Sequence, residues 1–93
     1  MRIGWTDEAL DDLGGLVAHH LEVASPWVAD TVRQRILAAI ADLMTFPERI
    51  RASERVPGAR ELVVPKLPYI VFVQVTDVAL IVLNIVHTAR RFP

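Results

Sequence analysis

The stretch "GARELVVPKLPYIVFVQV", residues 58–75, decides the fold of this chain because its apolar residues follow the period of a β-strand. A second stretch of the same kind, "IVLNIVHTARRFP", occupies residues 81–93. β-branched residues dominate both stretches, and turn residues stand in "PKLP" and "TDV". The pattern predicts strands at 60–64, 69–75 and 79–87. Short links join them, so they should pair as antiparallel neighbours.

The first half of the chain has the pattern of a helical hairpin that follows a short strand at "RIGW". Thr6 and Ser25 are good helix N-caps, and Pro26 suits the first helical position. Apolar residues recur at helical spacing behind each cap, at Leu10, Leu13, Val17 and Leu21 and again at Val32, Ile36, Ile40 and Leu43. The sequence therefore predicts a single α+β domain over residues 1–93. Its order is β-α-α-β-β-β, with a helical hairpin packed on one face of a small antiparallel sheet.

The predicted strands are apolar on both faces, although a helical hairpin can cover only one face of a sheet. The whole chain is 53% hydrophobic, with a mean hydropathy of +0.36, which is high for a domain of 93 residues. We therefore expect the second face to meet the chain's own ends, a second copy or another protein.

Several kinds of function are disfavoured by composition. The chain has no cysteine, which excludes disulfides and thiolate metal sites. His19 and His20 are adjacent and His87 is distant in sequence, so we expect no metal site and no cofactor. The start of the chain lacks the apolar core of a signal peptide, and Asp77 interrupts the longest apolar stretch. These features predict a cytoplasmic protein that does not bind membranes.

Charge is divided unevenly between the two halves of the chain. Residues 1–45 carry three arginines against seven acidic residues, a balance of −4, whereas residues 46–93 carry seven basic against four acidic residues, a balance of +3. Such polarity is compatible with one face that meets an anionic partner, or with ordinary solvated surfaces. The net charge of −1 is too acidic for a stand-alone nucleic-acid binder.

One group of polar residues stands at the ends of the predicted strands. Antiparallel pairing would make Tyr69 and His87 neighbours at one edge of the sheet. Histidine can shuttle a proton, arginine can stabilise a phosphorane and tyrosine can stack a base, which together would suit RNA cleavage. The same residues could equally cap the core and form salt bridges. The whole group consists of Arg60, Glu61, Tyr69, His87, Arg90 and Arg91.

These segments together resemble the RelE/ParE toxins of bacterial type II toxin–antitoxin systems. The resemblance covers nearly the whole chain: "IGWTDEALDDLGGLVAHH", "SPWVADTVRQRILAAIADLMTFP", "VPGARELVVPKLPYIVFVQV" and "IVLNIVHTARRFP" are similar to successive segments of the family. It implies a growth-inhibiting toxin that is neutralised in a hetero-oligomer by a cognate antitoxin, with operator DNA bound only through the antitoxin. The antitoxin would lie across the apolar strands, and the contacts we expect are Val71, Val73, Leu83 and Ile85.

Two targets are compatible with this resemblance. ParE-like members inhibit DNA gyrase without enzymatic activity, and the modest charge and short C-terminal end of this chain favour that branch. The target would then be bound by Arg60, Glu61, His87, Arg90 and Arg91. RelE-like members are ribosome-dependent mRNA endoribonucleases, and in that alternative Arg60, Tyr69, His87 and Arg90 would be catalytic. A third alternative is a non-toxic protein-interaction module.

Overall fold

The computed structural model describes residues 1–47 and 49–89, which form two helices packed on a four-stranded sheet. The α+β class, the order β-α-α-β-β-β and the helical hairpin are as predicted. The elements are β1 (Arg2–Trp5), α1 (Asp7–Val23), α2 (Pro26–Leu43), β2 (Arg60–Val63), β3 (Tyr69–Val75) and β4 (Ala79–His87).

Both helices begin at the caps that the sequence predicts. The Thr6 hydroxyl accepts a hydrogen bond from the Ala9 N–H at 3.0 Å, and the Ser25 hydroxyl accepts one from the Val28 N–H at 3.1 Å. Each bond satisfies a backbone donor that has no partner inside the first helical turn. Neither helix in the described part of the chain combines the length and the apolarity needed to cross a lipid bilayer.

The strands lie in the order β1-β4-β3-β2. β2 pairs antiparallel with β3, and β3 pairs antiparallel with β4, as the short links predict. β1 pairs in parallel with β4, with Trp5 opposite Val82, so that the sheet is mixed. The prediction of an antiparallel sheet therefore holds for the last three strands. It does not hold for β1, because two helices and two strands separate β1 from β4 and no short turn fixes their direction.

The main core lies between the helices and one face of the sheet. Ile36 and Ile40 of α2 are buried there against Val71 and Val73 of β3. The other members of this cluster are Ala9, Val32, Leu43, Leu62, Val64, Tyr69, Leu80, Val82 and Ile85.

The opposite face of the sheet carries a smaller core of Ile70, Phe72 and Val86. Phe72 is completely buried, and Val56 of the connector between α2 and β2 packs against the cluster. Part of this face is therefore covered from within the chain by the connector, which is not among the three coverings that the sequence suggested.

A β-bulge divides β4 into two halves. Phe72 is opposite Asn84 and Val73 is opposite Val82, which leaves Leu83 as the extra residue. Because of this residue, both Val82 and Ile85 belong to the core on the helical side although they are three positions apart. The second half of β4 leads to the candidate site.

Candidate functional site

Tyr69 and His87 meet at one edge of the sheet, at the start of β3 and the end of β4. They are directly opposite each other in the antiparallel register, and their ring centroids are 5.5 Å apart in an edge-to-face arrangement. The Thr88 N–H donates to the Pro68 carbonyl at 2.8 Å and extends the pairing by one step. The predicted proximity of these two side chains is confirmed.

The Tyr69 side chain is held inside the fold by a histidine of α1. Its hydroxyl shares a hydrogen bond of 2.8 Å with His20 Nε2, whose direction depends on the imidazole tautomer. Tyr69 is only 5% exposed, and burial raises the pKa of its hydroxyl above the ordinary value of 10.0. The hydroxyl therefore stays protonated at neutral pH, and little of the ring is open for a nucleobase to stack on.

The exposed His87 imidazole is oriented by the backbone that follows it. Its Nδ1 accepts a hydrogen bond from the Ala89 N–H at 3.0 Å, so the neutral ring carries its proton on Nε2. This geometry directs the donor nitrogen of His87 away from its own backbone.

A cleft of about 410 Å³ opens between α1 and this edge of the sheet. Its helical wall combines two carboxylates, a glycine and a histidine on successive turns, and its sheet wall is formed by the end of β4 with Tyr69. The lining residues are Asp11, Asp12, Gly15, Leu16, His19, Tyr69, Ile85 and His87.

Asp12 connects the helix to the second half of β4. β1 ends opposite Val82, where the Thr6 hydroxyl donates to the Leu83 carbonyl at 2.6 Å. One step further along β4, Asp12 Oδ2 accepts the Ile85 N–H at 2.9 Å, in the place where a neighbouring strand would supply a carbonyl. Among the described residues, β4 beyond Val82 has a strand neighbour only on its β3 side.

Arg60 is not part of this cluster. It is opposite Val73, four residues along β3 from Tyr69, which corresponds to a separation of about 13 Å. Its Nη1 donates to the Ile50 carbonyl at 2.9 Å, which directs the guanidinium toward the connector. The arrangement of Arg60 beside Tyr69 and His87 that an RNA-cleaving site requires is thus absent from the described residues.

Glu61 is also withdrawn from the surface. It is 5% exposed, and its carboxylate accepts a hydrogen bond from the Ser53 hydroxyl at 2.7 Å and lies 3.8 Å from the Arg51 guanidinium. These contacts fasten the connector to β2. Its place in the described fold is structural, and a partner would reach its carboxylate only after this part of the connector had moved.

The four residues expected to contact an antitoxin lie on two different faces. Val71 and Val73 are completely buried beneath the helices, and Ile85 is 4% exposed on the same side. Leu83, at the bulge, is half-buried on the opposite face beside the smaller core. The first three side chains are consequently not a docking surface while the helices remain in place. Arg90 and Arg91, which belong to the other predicted sets, lie outside the described residues.

Sequence reasoning gave no functional role to His20 or Asp12. His20 follows Leu13 and Val17 at helical spacing, a signal that places it on the buried side of α1. Its partner is 49 residues away, and the partner of Asp12 is 73 residues away, so that neither contact has a local signature. Within 1–47 and 49–89, no group of three or more histidine, aspartate and glutamate side chains is arranged to hold a metal ion.

Comparisons with known proteins identify the family and the fold of this chain. The sequence pattern of the family described as "ParE toxin of type II toxin-antitoxin system, parDE" matches residues 3–92. A solved structure titled "Chromosomal ParDE TA system from P. aeruginosa" is similar at a TM-score of 0.82 and 26% identity, covering 94% of this chain and 95% of that one. The isolated RelE toxin of E. coli shares the fold at a TM-score of 0.66 and 18% identity, covering 96% and 85% of the two chains. A comparison with curated proteins gave no significant match.

The helical hairpin on a mixed four-stranded sheet gives this chain the fold of the RelE/ParE toxins. Within that class, the match over residues 3–92 shows that this chain belongs to the ParE toxin family of type II toxin–antitoxin systems. Membership implies an antitoxin as the partner protein.

Proposed function

We propose that this chain arrests growth by binding DNA gyrase, and that a cognate antitoxin neutralises it in a hetero-oligomer. The observation that favours gyrase over RNA as the target is the set of charged residues around Tyr69 and His87. Asp11 and Asp12 line the cleft beside the two rings, and Arg60 lies about 13 Å away along the sheet. A non-enzymatic, ParE-like mode of inhibition is the function that this arrangement favours.

The chemistry of RNA cleavage explains why the arrangement weighs against a nuclease. A phosphodiester must approach the general acid or base closely, and its transition state gains negative charge that needs a cation or several N–H donors. Two carboxylates beside His87 would instead repel the phosphate backbone. Burial removes Tyr69 from contact with a base, and its raised pKa makes the hydroxyl a weaker acid.

The gyrase-binding surface that we propose is centred on the exposed end of the sheet. His87 is exposed there, and the sequence continues directly into Arg90 and Arg91. Arginine is well suited to protein interfaces because its planar guanidinium forms several hydrogen bonds at once. Arg60 contributes from the start of β2, where it is half-buried and its guanidinium is bonded to the connector. Glu61 acts indirectly, by holding that connector in place.

The decisive experiment is a supercoiling assay with purified gyrase and purified toxin. Wild-type protein should inhibit supercoiling, and the Arg90→Gln, Arg91→Gln double variant should need about ten times more protein for half-maximal inhibition, since losing two interface contacts costs on the order of 1.4 kcal/mol. The matched control is Arg33→Gln, Arg35→Gln, which removes the same charge from exposed positions on α2 and should behave as wild type.

Undiminished supercoiling at a large excess of wild-type toxin would contradict the proposal.

The adjacency of Tyr69 and His87 keeps RelE-like mRNA cleavage as the second candidate. Primer extension on translated messages after induction separates the two, because a nuclease leaves cuts within codons. In that case His87→Gln should abolish both the cuts and the growth arrest. A chain whose induction leaves growth unaffected would instead be a non-toxic interaction module.

A further inference from the structure

We infer that the open edge of β1 pairs with the same edge of a second copy of this chain, so that the two sheets join across a two-fold axis. The strand order places β1 at one side of the sheet, and in the described part of the chain its only strand neighbour is β4. The inference concerns the chain without any other protein, and it depends neither on gyrase nor on an antitoxin.

The backbone of β1 presents two of its residues to this edge. The N–H groups of Arg2 and Thr6 donate to carbonyls in and just before β4, at 3.2 and 3.1 Å, so alternate residues from Arg2 onward face β4. The N–H and C=O groups of Ile3 and Trp5 therefore point away from β4. Among residues 1–47 and 49–89, none satisfies them, and they are free to pair with another strand.

The edge is also accessible. α1 leaves β1 at Thr6 and packs on β4 and α2, and the Ile3 side chain is 38% exposed. Strand edges that stay unpaired are commonly protected by a proline, a bulge or an inward-pointing charge. Ile3–Trp5 contains no proline and no charged residue, and its register with β4 is regular. This segment therefore lacks the usual protection against edge-to-edge pairing.

One antiparallel register satisfies all of these backbone groups at once. Ile3 of each copy lies opposite Trp5 of the other, and each such pair exchanges both of its N–H···O bonds. Gly4 then faces its own equivalent on the two-fold axis. Ile3 and Trp5 have their side chains on the same face, where Trp5 packs against the main core. A β-branched and an aromatic residue thus meet across the axis, which is a favourable cross-strand pair.

The charges at the two ends of β1 favour a second copy in this orientation over an arbitrary extended segment. Arg2 is exposed at the start of β1, and Asp7 and Glu8 are exposed just after its end. Within 1–47 and 49–89 none of the three forms an ion pair. The same register brings Arg2 of each copy beside Thr6 of the other, next to the opposite charges. Self-pairing therefore matches hydrogen bonds and charges together.

The first test is amide hydrogen exchange of the full-length, ¹⁵N-labelled chain over a range of protein concentrations. The amides of Ile3 and Trp5 should exchange slowly at high concentration and rapidly at low concentration, because only the dimer protects them. The Gly4 amide, which faces β4, should be protected at both concentrations and serves as the internal control. Sedimentation equilibrium should show the same transition from monomer to dimer.

The variant Ile3→Pro removes the N–H that faces the second copy and leaves the bonds to β4 in place, since proline is tolerated where the N–H of an edge strand points outward. Its dimer dissociation constant should rise about thirty-fold, as expected for two hydrogen bonds lost per dimer. The matched control is Ile3→Ala, which also loses the side chain but keeps the N–H. It should dimerise about ten-fold more tightly than Ile3→Pro.

A charge exchange tests the orientation. Arg2→Glu should weaken the dimer about five-fold, because attraction at both ends of the paired strands becomes repulsion. Adding Glu8→Arg to this variant should restore the wild-type dissociation constant, because the exchanged charges meet again across the axis. Arg2 and Glu8 form no ion pair within one chain, so the restoration reports a contact between copies.

A monomer at every concentration, or equal dissociation constants for Ile3→Pro and Ile3→Ala, would overturn the inference. Rapid exchange of the Ile3 and Trp5 amides in such a monomer would leave the edge to a different protein. Slow exchange in a monomer would assign the edge to a segment of the chain itself. None of these measurements uses gyrase or growth, so this inference and the proposed function can fail separately.

Discussion

At the scale of single residues, the contact between His20 and Tyr69 links the helical layer to the sheet. The two side chains come from α1 and β3, and their hydrogen bond of 2.8 Å is partly buried. A buried hydroxyl group is tolerated only when it has a hydrogen-bond partner. Removing that partner leaves the cost of desolvating the hydroxyl uncompensated. This contact gives the tyrosine at the start of β3 a structural role.

We expect the Tyr69→Phe variant to lose about 1 kcal/mol in its free energy of unfolding at pH 8, because it removes one hydrogen bond and leaves the His20 ring in place. Adding His20→Ala to the Tyr69→Phe variant should then cost less than His20→Ala costs alone. Urea unfolding of the four proteins gives the coupling energy. The control is His19→Ala, since no hydrogen bond joins the neighbouring His19 to Tyr69.

The raised pKa of Tyr69 gives the same prediction a second readout. A folded-state pKa above the unfolded value of about 10 means that the folded protein binds the proton more tightly. Its contribution to stability is therefore fully present below pH 10 and falls as the pH rises from there through the folded pKa. Tyr69→Phe should lose less stability than wild type over that range. An equal loss of stability at alkaline pH in wild type and Tyr69→Phe would contradict a raised pKa for Tyr69.

At the scale of elements, α1 contains two glycines, a residue type that lowers helix stability relative to alanine. Gly14 and Gly15 lie in its middle, both exposed, and close packing against the rest of the chain does not explain them. Glycine in a helix interior is unfavourable because it loses more backbone freedom on folding than any other residue does. α2 has no glycine between its first and last residues and supplies five buried residues to the core, whereas α1 supplies only Ala9.

Replacing either glycine by alanine should stabilise the protein by about 1 kcal/mol, because both sites are helical and have open space for a methyl group. Such a gain raises the melting temperature of a domain this size by roughly 4–8 °C. Thermal unfolding followed by circular dichroism measures it. A loss of stability in both variants would contradict this account of α1.

At the scale of the whole molecule, the helical layer decides which strand residues a partner can reach. Val71 is completely buried beneath the helices, whereas Val63, on the neighbouring strand, is 59% exposed. The sequence shows only that both belong to apolar strands. An antitoxin that binds the intact fold would contact exposed strand residues such as Val63 and the open strand edges.

These two valines provide a matched test of that layering. Val71→Thr should lower the free energy of unfolding by roughly 1–3 kcal/mol, because a hydroxyl would be buried among aliphatic side chains. Val63→Thr should change it by no more than about 0.5 kcal/mol, as surface substitutions usually do. Chemical denaturation measures both. Similar effects of the two substitutions would mean that the helices do not cover β3 as described.

The sequence by itself determined the features that depend on local order. Capping residues located the starts of both helices, short links made β2, β3 and β4 antiparallel, and that pairing placed Tyr69 opposite His87. Only the tertiary structure decided the features that depend on distant segments meeting. These are the parallel pairing of β1 with β4, the bulge at Leu83, the displacement of Arg60 and the contacts of His20 and Asp12. The physical reason is that periodicity fixes which residues share a face, whereas the packing of layers fixes what each face meets.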